Sequence, residues 1–207
     1  MTALVIIDMQ NDFMPGGALG VPGADELFPL INWLMPKFPL VLATQDWHPP
    51  DHVSFAENHP GKKPGDVVLV RGTPQILWPV HCVCHTSGAE LVSGLNRELI
   101  KDVFFKGSDP EIDSYSAFFD NEQRKSTGLA DYLHSQQVTH IFLVGVATDY
   151  CVLYSALDAL SLGFAVTVIR DACRGIDLKE GDVDRSLALM QEKGAQIISS
   201  RSLCEIP

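Results

Sequence analysis

Long apolar runs are missing from the 207 residues of this chain. None approaches the roughly 18 uninterrupted apolar residues of a membrane-spanning helix, which argues against a membrane protein. Basic charge is scarce: 15 Lys and Arg stand against 26 Asp and Glu, for a net charge of −11. A nucleic-acid or anionic-lipid surface needs a basic stripe, and none is present, so neither partner is expected. The opening Met1-Thr2-Ala3 runs straight into apolar sequence without a basic region or cleavage site, which argues against export. Cysteine is limited to five, an odd number without the spacing of a secreted disulfide framework, so reduced thiols and a cytoplasmic location are expected. Internal repeats and low-complexity segments are also lacking.

What is present is a folded composition, 46% hydrophobic and 20% charged, of a length that suits one domain over 1–207. Six short apolar runs read as strands: Leu4–Asp8, Leu40–Thr44, Val103–Lys106, Ile141–Val146, Val166–Ile169 and Gln196–Ser199. They are rich in Val, Ile, Leu and Phe with little alternation, as when both faces of a parallel sheet are buried. Helical stretches fall between them at Ala24–Leu34, Gly128–Gln137, Asp149–Leu162 and Asp182–Lys193, with Gly163 and Gly194 at C-cap positions. Alternating strand and helix predicts an α/β fold, a doubly wound and mostly parallel six-stranded sheet with helices on both faces. Residues 47–87 break the rhythm. They are rich in Pro, Gly and His, and only Val67–Val70 reads as a strand. So long a connection usually carries function.

In an open parallel sheet ligands bind beyond the carboxyl ends of the strands. Four chemically distinctive residues fall at such ends: Asp8, Asp46, Lys106 and Cys151. Most lone cysteines are small buried hydrophobes. Cys151, however, opens a helix, within Gly145-Val-Ala-Thr-Asp-Tyr-Cys151, where Thr148 or Asp149 could cap. The first helical turn favours the nucleophilic thiolate, and its N–H groups can hold an oxyanion. Lys106 could stabilise that thiolate, and Asp8 could carry its proton. Taken alone, Lys106 could equally be a solvated strand end and Asp8 a local turn.

Asp46-Trp-His48 puts a carboxylate and an imidazole on one side of an extended segment. Further ligands could come from His52, His59, His81 or His85. One Asp with two or three His suits zinc or iron(II). His81-Cys-Val-Cys-His85 invites a zinc-cluster or dithiol reading, but no matching second pair exists.

Asp8-Met-Gln-Asn-Asp-Phe13, Asp46-Trp-His48, Trp78-Pro-Val-His-Cys-Val83, Lys106, Asp113-Ser-Tyr-Ser-Ala-Phe-Phe119 and Ala147-Thr-Asp-Tyr-Cys151 together resemble the nicotinamidase/pyrazinamidase family of the isochorismatase-like superfamily. The resemblance runs from about residue 4 to 199. It implies a triad of Asp8, Lys106 and Cys151, and an oxyanion hole from the N–H groups of Ala147 and Cys151 after a cis peptide at Val146–Ala147. It implies one divalent metal ion, Zn²⁺ before Fe²⁺ or Mn²⁺, held by Asp46, His48 and His81, with His52 the nearest match for a fourth ligand. Phe13 and Trp78 would sandwich the pyridine ring of nicotinamide, with Tyr115 close by. The implied activity is hydrolysis of nicotinamide to nicotinate and ammonia in NAD salvage, with pyrazinamide accepted too. Cys84 is not asked for by the family pattern. Homo-oligomer formation is left open. An amidohydrolase acting on a carbamoyl or ureido group is the alternative, and would not need Asp46-x-His48 with His81. An isochorismate hydrolase would not need the cysteine. A metal- or thiol-sensing module would leave Asp8 and Lys106 unexplained.

Overall fold

The computed structural model describes residues 1–204. Six strands form one parallel sheet: β1 (Thr2–Ile7), β2 (Val41–Asp46), β5 (Asp102–Lys106), β6 (His140–Val146), β7 (Ala165–Arg174) and β8 (Gln196–Ile198). Their spatial order is β5-β2-β1-β6-β7-β8, so the direction of winding reverses between β1 and β6. That seam is where an open α/β sheet offers a crevice. A separate antiparallel hairpin, β3 (Val67–Val70) and β4 (Thr73–Ile76), lies within the long connection after β2.

The sheet divides two apolar layers. Val5 and Ile7 face one side with Leu143, against α2 (Leu129–Ser135), α3 (Leu153–Ser161) and α4 (Asp182–Glu192). Leu4 and Ile6 face the other with Val144, against α1 (Leu27–Leu34). Residues 3–7 are wholly buried on both faces, as the unbroken apolar run requires. Each such large aliphatic contributes about 1.5–3 kcal/mol.

At the seam Ile7 pairs with Gly145. A Cβ on Gly145 would stand 2.1 Å from the Ile7 carbonyl oxygen, and its φ of 113° suits only glycine. The two strands whose ends carry Asp8 and the Cys151 turn therefore approach as closely as backbone allows.

The predicted strands all exist, with two differences. β7 runs on to Arg174, because Arg170 and Asp171 continue the extended backbone despite their charge. β4 had no sequence signal: it is short, polar and holds Pro74. The helix expected from Ala24 starts as a 3₁₀ turn, and the one expected from Asp149 starts as a π turn over Thr148–Val152. Gly163 and Gly194 take positive φ at helix ends, as predicted.

Candidate active site

Each distinctive side chain is delivered by a strand end. Asp8 follows β1 directly with a left-handed φ of 48°, which few non-glycine residues adopt and which is common where function constrains backbone. Thr44 fixes its carboxylate: the hydroxyl donates to Oδ1 at 2.6 Å and accepts the Asp8 N–H at 3.2 Å. Asp46 closes β2. The Gln10 side-chain amide clamps its backbone, accepting the Asp46 N–H and donating to the Asp46 carbonyl, both at 2.8 Å. Lys106 closes β5 and is fully buried at its side chain. Cys151 lies in the π turn after β6, behind the cis Val146–Ala147 peptide.

Lys106 joins them. Its Nζ donates to Asp46 Oδ1, to the Ser114 carbonyl at 3.1 Å and to Cys151 Sγ at 3.3 Å. An ammonium has three hydrogens, and these three partners use them. Asp8 Oδ2 stands 2.9 Å from Nζ as an ion pair and has no well-aligned hydrogen-bond donor among the described residues. One buried carboxylate oxygen is thus left open beside the ammonium that contacts the thiol.

Electrostatics follow this arrangement. Burial pushes the Asp8 carboxyl above the usual range, with Lys106 opposing and the nearby Asp46 charge adding to it. Burial also works on Asp46, but Lys106 and His48 outweigh it and hold that carboxyl well below the usual range. Burial alone would discharge Lys106, yet Asp46 and Asp8 keep it firmly protonated. Burial raises the Cys151 thiol, and Lys106 pulls the other way. The site therefore holds a charged Asp46–Lys106 pair and, within 4.8 Å of the Cys151 thiol, an Asp8 carboxylate whose affinity for a proton is raised by burial.

Asp46, His48 and His81 form a second, adjoining cluster. Asp46 Oδ2 lies 3.7 Å from His48 Nε2 and 3.8 Å from His81 Nε2. The Nδ1 atoms of both imidazoles face backbone carbonyls, Gly107 and Pro79, each at 2.8 Å. A carbonyl only accepts, so each Nδ1 carries the hydrogen and each Nε2 lone pair points inward. One carboxylate and two bare imidazole nitrogens, all buried and mutually within 4.8 Å, fit a divalent ion such as zinc, iron(II) or manganese(II). Gly107 makes room for this: a Cβ there would stand 2.4 Å from the His48 ring.

His52 lies outside that trio. Its ring packs on His48 with centroids 4.2 Å apart, and it groups with His48 and Asp113 instead. Its Nδ1 faces Ser54 Oγ at 2.7 Å, and its Nε2 is buried without a partner. His59 bonds the Val53 carbonyl and His85 packs on Trp47. Cys82 and Cys84 join no group of three metal-binding side chains among the described residues. Thr148 and Asp149 make no capping bond. Asp149 instead accepts the N–H groups of Ile176 at 2.9 Å and Asp177 at 2.7 Å, tying the Cys151 turn to the loop after β7.

A narrow cavity opens over both clusters. It is lined by Phe13, Trp78 and Tyr115, with Ala147, Cys151, Asp46, His48 and His81. The Trp78 indole N–H donates to Tyr115 Oη at 3.2 Å. Sequence reasoning missed Thr44, Gln10, Leu19, Tyr150 and Ile176 around this site. Thr44 had a signal, standing two residues before Asp46 and hence on the same strand face. Leu19 and Ile176 have none, being ordinary apolar residues.

The isochorismatase domain model matches residues 2–202. This chain belongs to the isochorismatase family. Within that family it is 45% identical to a nicotinamidase of Acinetobacter baylyi over 97% of this chain and 94% of that one. A solved nicotinamidase pyrazinamidase from Acinetobacter baumanii superposes with a TM-score of 0.95 at 44% identity, covering 98% of this chain and 97% of that chain. A Pyrococcus horikoshii pyrazinamidase in complex with zinc gives a TM-score of 0.78 at 39% identity, covering 96% and 98% respectively. No helix among the described residues is long and apolar enough to cross a membrane.

Proposed function

We propose that this isochorismatase-family chain is a nicotinamidase. It hydrolyses nicotinamide to nicotinate and ammonia, as a step of NAD salvage, and accepts pyrazinamide. The observation that carries the reading is the buried contact set of Asp8, Lys106 and Cys151 beside the Asp46–His48–His81 donors, with Cys151 and those three donors lining one cavity. The full-length likeness to nicotinamidases supports the substrate class.

The open Oδ2 of Asp8 takes the proton from the Cys151 thiol. The thiolate, held by the Lys106 ammonium, attacks the carboxamide carbon. The N–H groups of Ala147 and Cys151 hold the oxyanion. Asp8 returns the proton to the leaving nitrogen, so ammonia departs and a nicotinoyl thioester remains. Water then attacks the thioester while Asp8 takes its proton, and proton return to sulfur regenerates the thiol. Phe13 and Trp78 flank the ring, with Tyr115 bracing Trp78. Asp46, His48 and His81 would hold a divalent ion, Zn²⁺ by preference; such an ion, when bound, draws electron density from the ring and fixes its nitrogen.

The deciding experiment is an ammonia-release assay with nicotinamide, run beside Cys151→Ala. Release by the wild type and none by the folded variant supports the reading. Near-normal turnover in the variant would sink it. Chelation should also remove activity, with Zn²⁺, Fe²⁺ or Mn²⁺ restoring it. Full activity in demonstrably metal-free protein would remove the metal from the scheme.

A further inference from the structure

The cavity above Cys151 has only about 20 Å³ of free space. That is room for about one water molecule, not for an aromatic ring with its carboxamide. A second, larger cavity of about 290 Å³ lies next to it and opens outward. Asp113 and Tyr115 line both. They form the partition between the outer space and the thiol. The β strands beneath are fixed by their ladders, so this partition is the wall able to yield.

One side chain ties that wall to the hairpin. Gln75, buried on β4, donates from Nε2 to Asp113 Oδ2 at 2.9 Å and stands 3.3 Å from Tyr115 Oη. The same amide donates to its neighbour's carbonyl, Ile76, at 2.7 Å. The hairpin needs such a tie. Its two-residue turn, Arg71-Gly72, has both φ values positive, the type I′ pattern, but a lone two-stranded hairpin is marginal in water. Its outer residues Val67 and Leu69 are exposed rather than packed. The Arg71–Glu111 ion pair at its tip is solvent-exposed and holds little. Two residues beyond β4 the chain delivers Trp78 to the site.

We propose that Gln75 is the latch of this wall: a positioning residue that draws Asp113 and Tyr115 back against the substrate ring once the wall has yielded to admit it, while Trp78 is held separately by its backbone bonds to Ser54 and Ala56. Breaking the latch frees the hairpin and leaves Asp113 and Tyr115 standing away from a bound ring, without touching the thiol. The inference rests on the nicotinamidase reading for its substrate but not for its motion.

The test uses Gln75→Ala, Gln75→Glu and Tyr115→Phe in the whole protein. Amide hydrogen exchange is read without substrate. Gln75→Ala should speed exchange about tenfold in residues 66–78 and leave the sheet unchanged, as expected for one lost buried hydrogen bond. With nicotinamide, KM should rise about tenfold while kcat stays within about threefold. Gln75→Glu, nearly the same size, should be worse than Ala, since it sets a carboxylate against Asp113. Combining Gln75→Ala with Tyr115→Phe should cost less than the product of the single effects, because both act on one wall. Unchanged exchange over 66–78, a Glu variant milder than Ala, or effects that simply multiply would overturn the latch. Failure of the wild type to release ammonia would overturn the substrate reading and leave the exchange result to decide the latch.

Discussion

Lys106 concentrates the site's charge. Its ammonium is buried with two carboxylates, and neither pKa nor geometry lets it discharge. Lys106→Ala would leave Asp8 and Asp46 facing each other across an apolar gap. It should cost about 3–5 kcal/mol in urea unfolding. Asp8→Asn should cost clearly less, because it removes one of two anions sharing a single cation. Equal losses in the two variants would show that Lys106 is held by something other than this balance. The same scale explains Gly107: Gly107→Ala should push the His48 ring out of line, lowering bound metal per chain after dialysis against limiting zinc while the sheet stays folded. Retention of full metal content in that variant would contradict the assignment of His48.

Among the elements, the turn after β6 matters most. Its cap was expected from Thr148 or Asp149, but a carboxylate mid-turn is free to reach sideways. Asp149 does so, taking two backbone N–H groups from the loop after β7. Asp149→Ala would leave two part-buried donors without their acceptor and should cost about 1 kcal/mol, read by chemical unfolding. The sequence made Asp8 legible because β1, buried on both faces, has no polar residue between Thr2 and its end, whereas β2 turns polar earlier, at Thr44 and Gln45, and Asp46 stood out through its spacing from His48. β5 shows the limit: read as a buried strand, it lies at the sheet edge, where Phe105 is exposed and packs its ring on Trp47. The hairpin strand β4 was illegible, since its meaning lies in one buried glutamine whose partner sits 38 residues away. β7 ran past its expected end because Asp171 is used rather than solvated: its carboxylate accepts from Ser199 and Ser200. Partial burial raises its pKa, but those hydrogen bonds outweigh it and leave it below 3.8. Its contribution is therefore present above about pH 4 and lost as pH falls through the lowered value. Asp171→Asn should reduce stability at pH 7 and shallow the acid limb of an unfolding-versus-pH curve. An unchanged acid limb would count against it.

For the whole molecule the net charge of −11 sets a background field. Nicotinamide is neutral and would not feel it, whereas nicotinate is an anion and would be repelled. Its KM should therefore stay flat with ionic strength. Product inhibition by nicotinate should strengthen from low salt to about 0.5 M as screening shortens the Debye length. Inhibition that weakens with salt would mean that local cations dominate the approach instead. The fold-level expectation of a doubly wound sheet came from alternation alone. The fit of 47–87 around the site could not, because loops are shaped by the partners they meet.

The seam at Ile7 and Gly145 has a bearing on descent. Only glycine fits where β6 pairs with the end of β1, and a slip of one residue would turn Asp8 and the cysteine turn away from each other. Lineages that inherit this scaffold can hardly retune the spacing of proton carrier and nucleophile. New substrate preferences would then arise in the segments above it, at the hairpin, at Leu19 and at Ile176, where a change alters the approach to the thiol and leaves the chemistry beneath as it is.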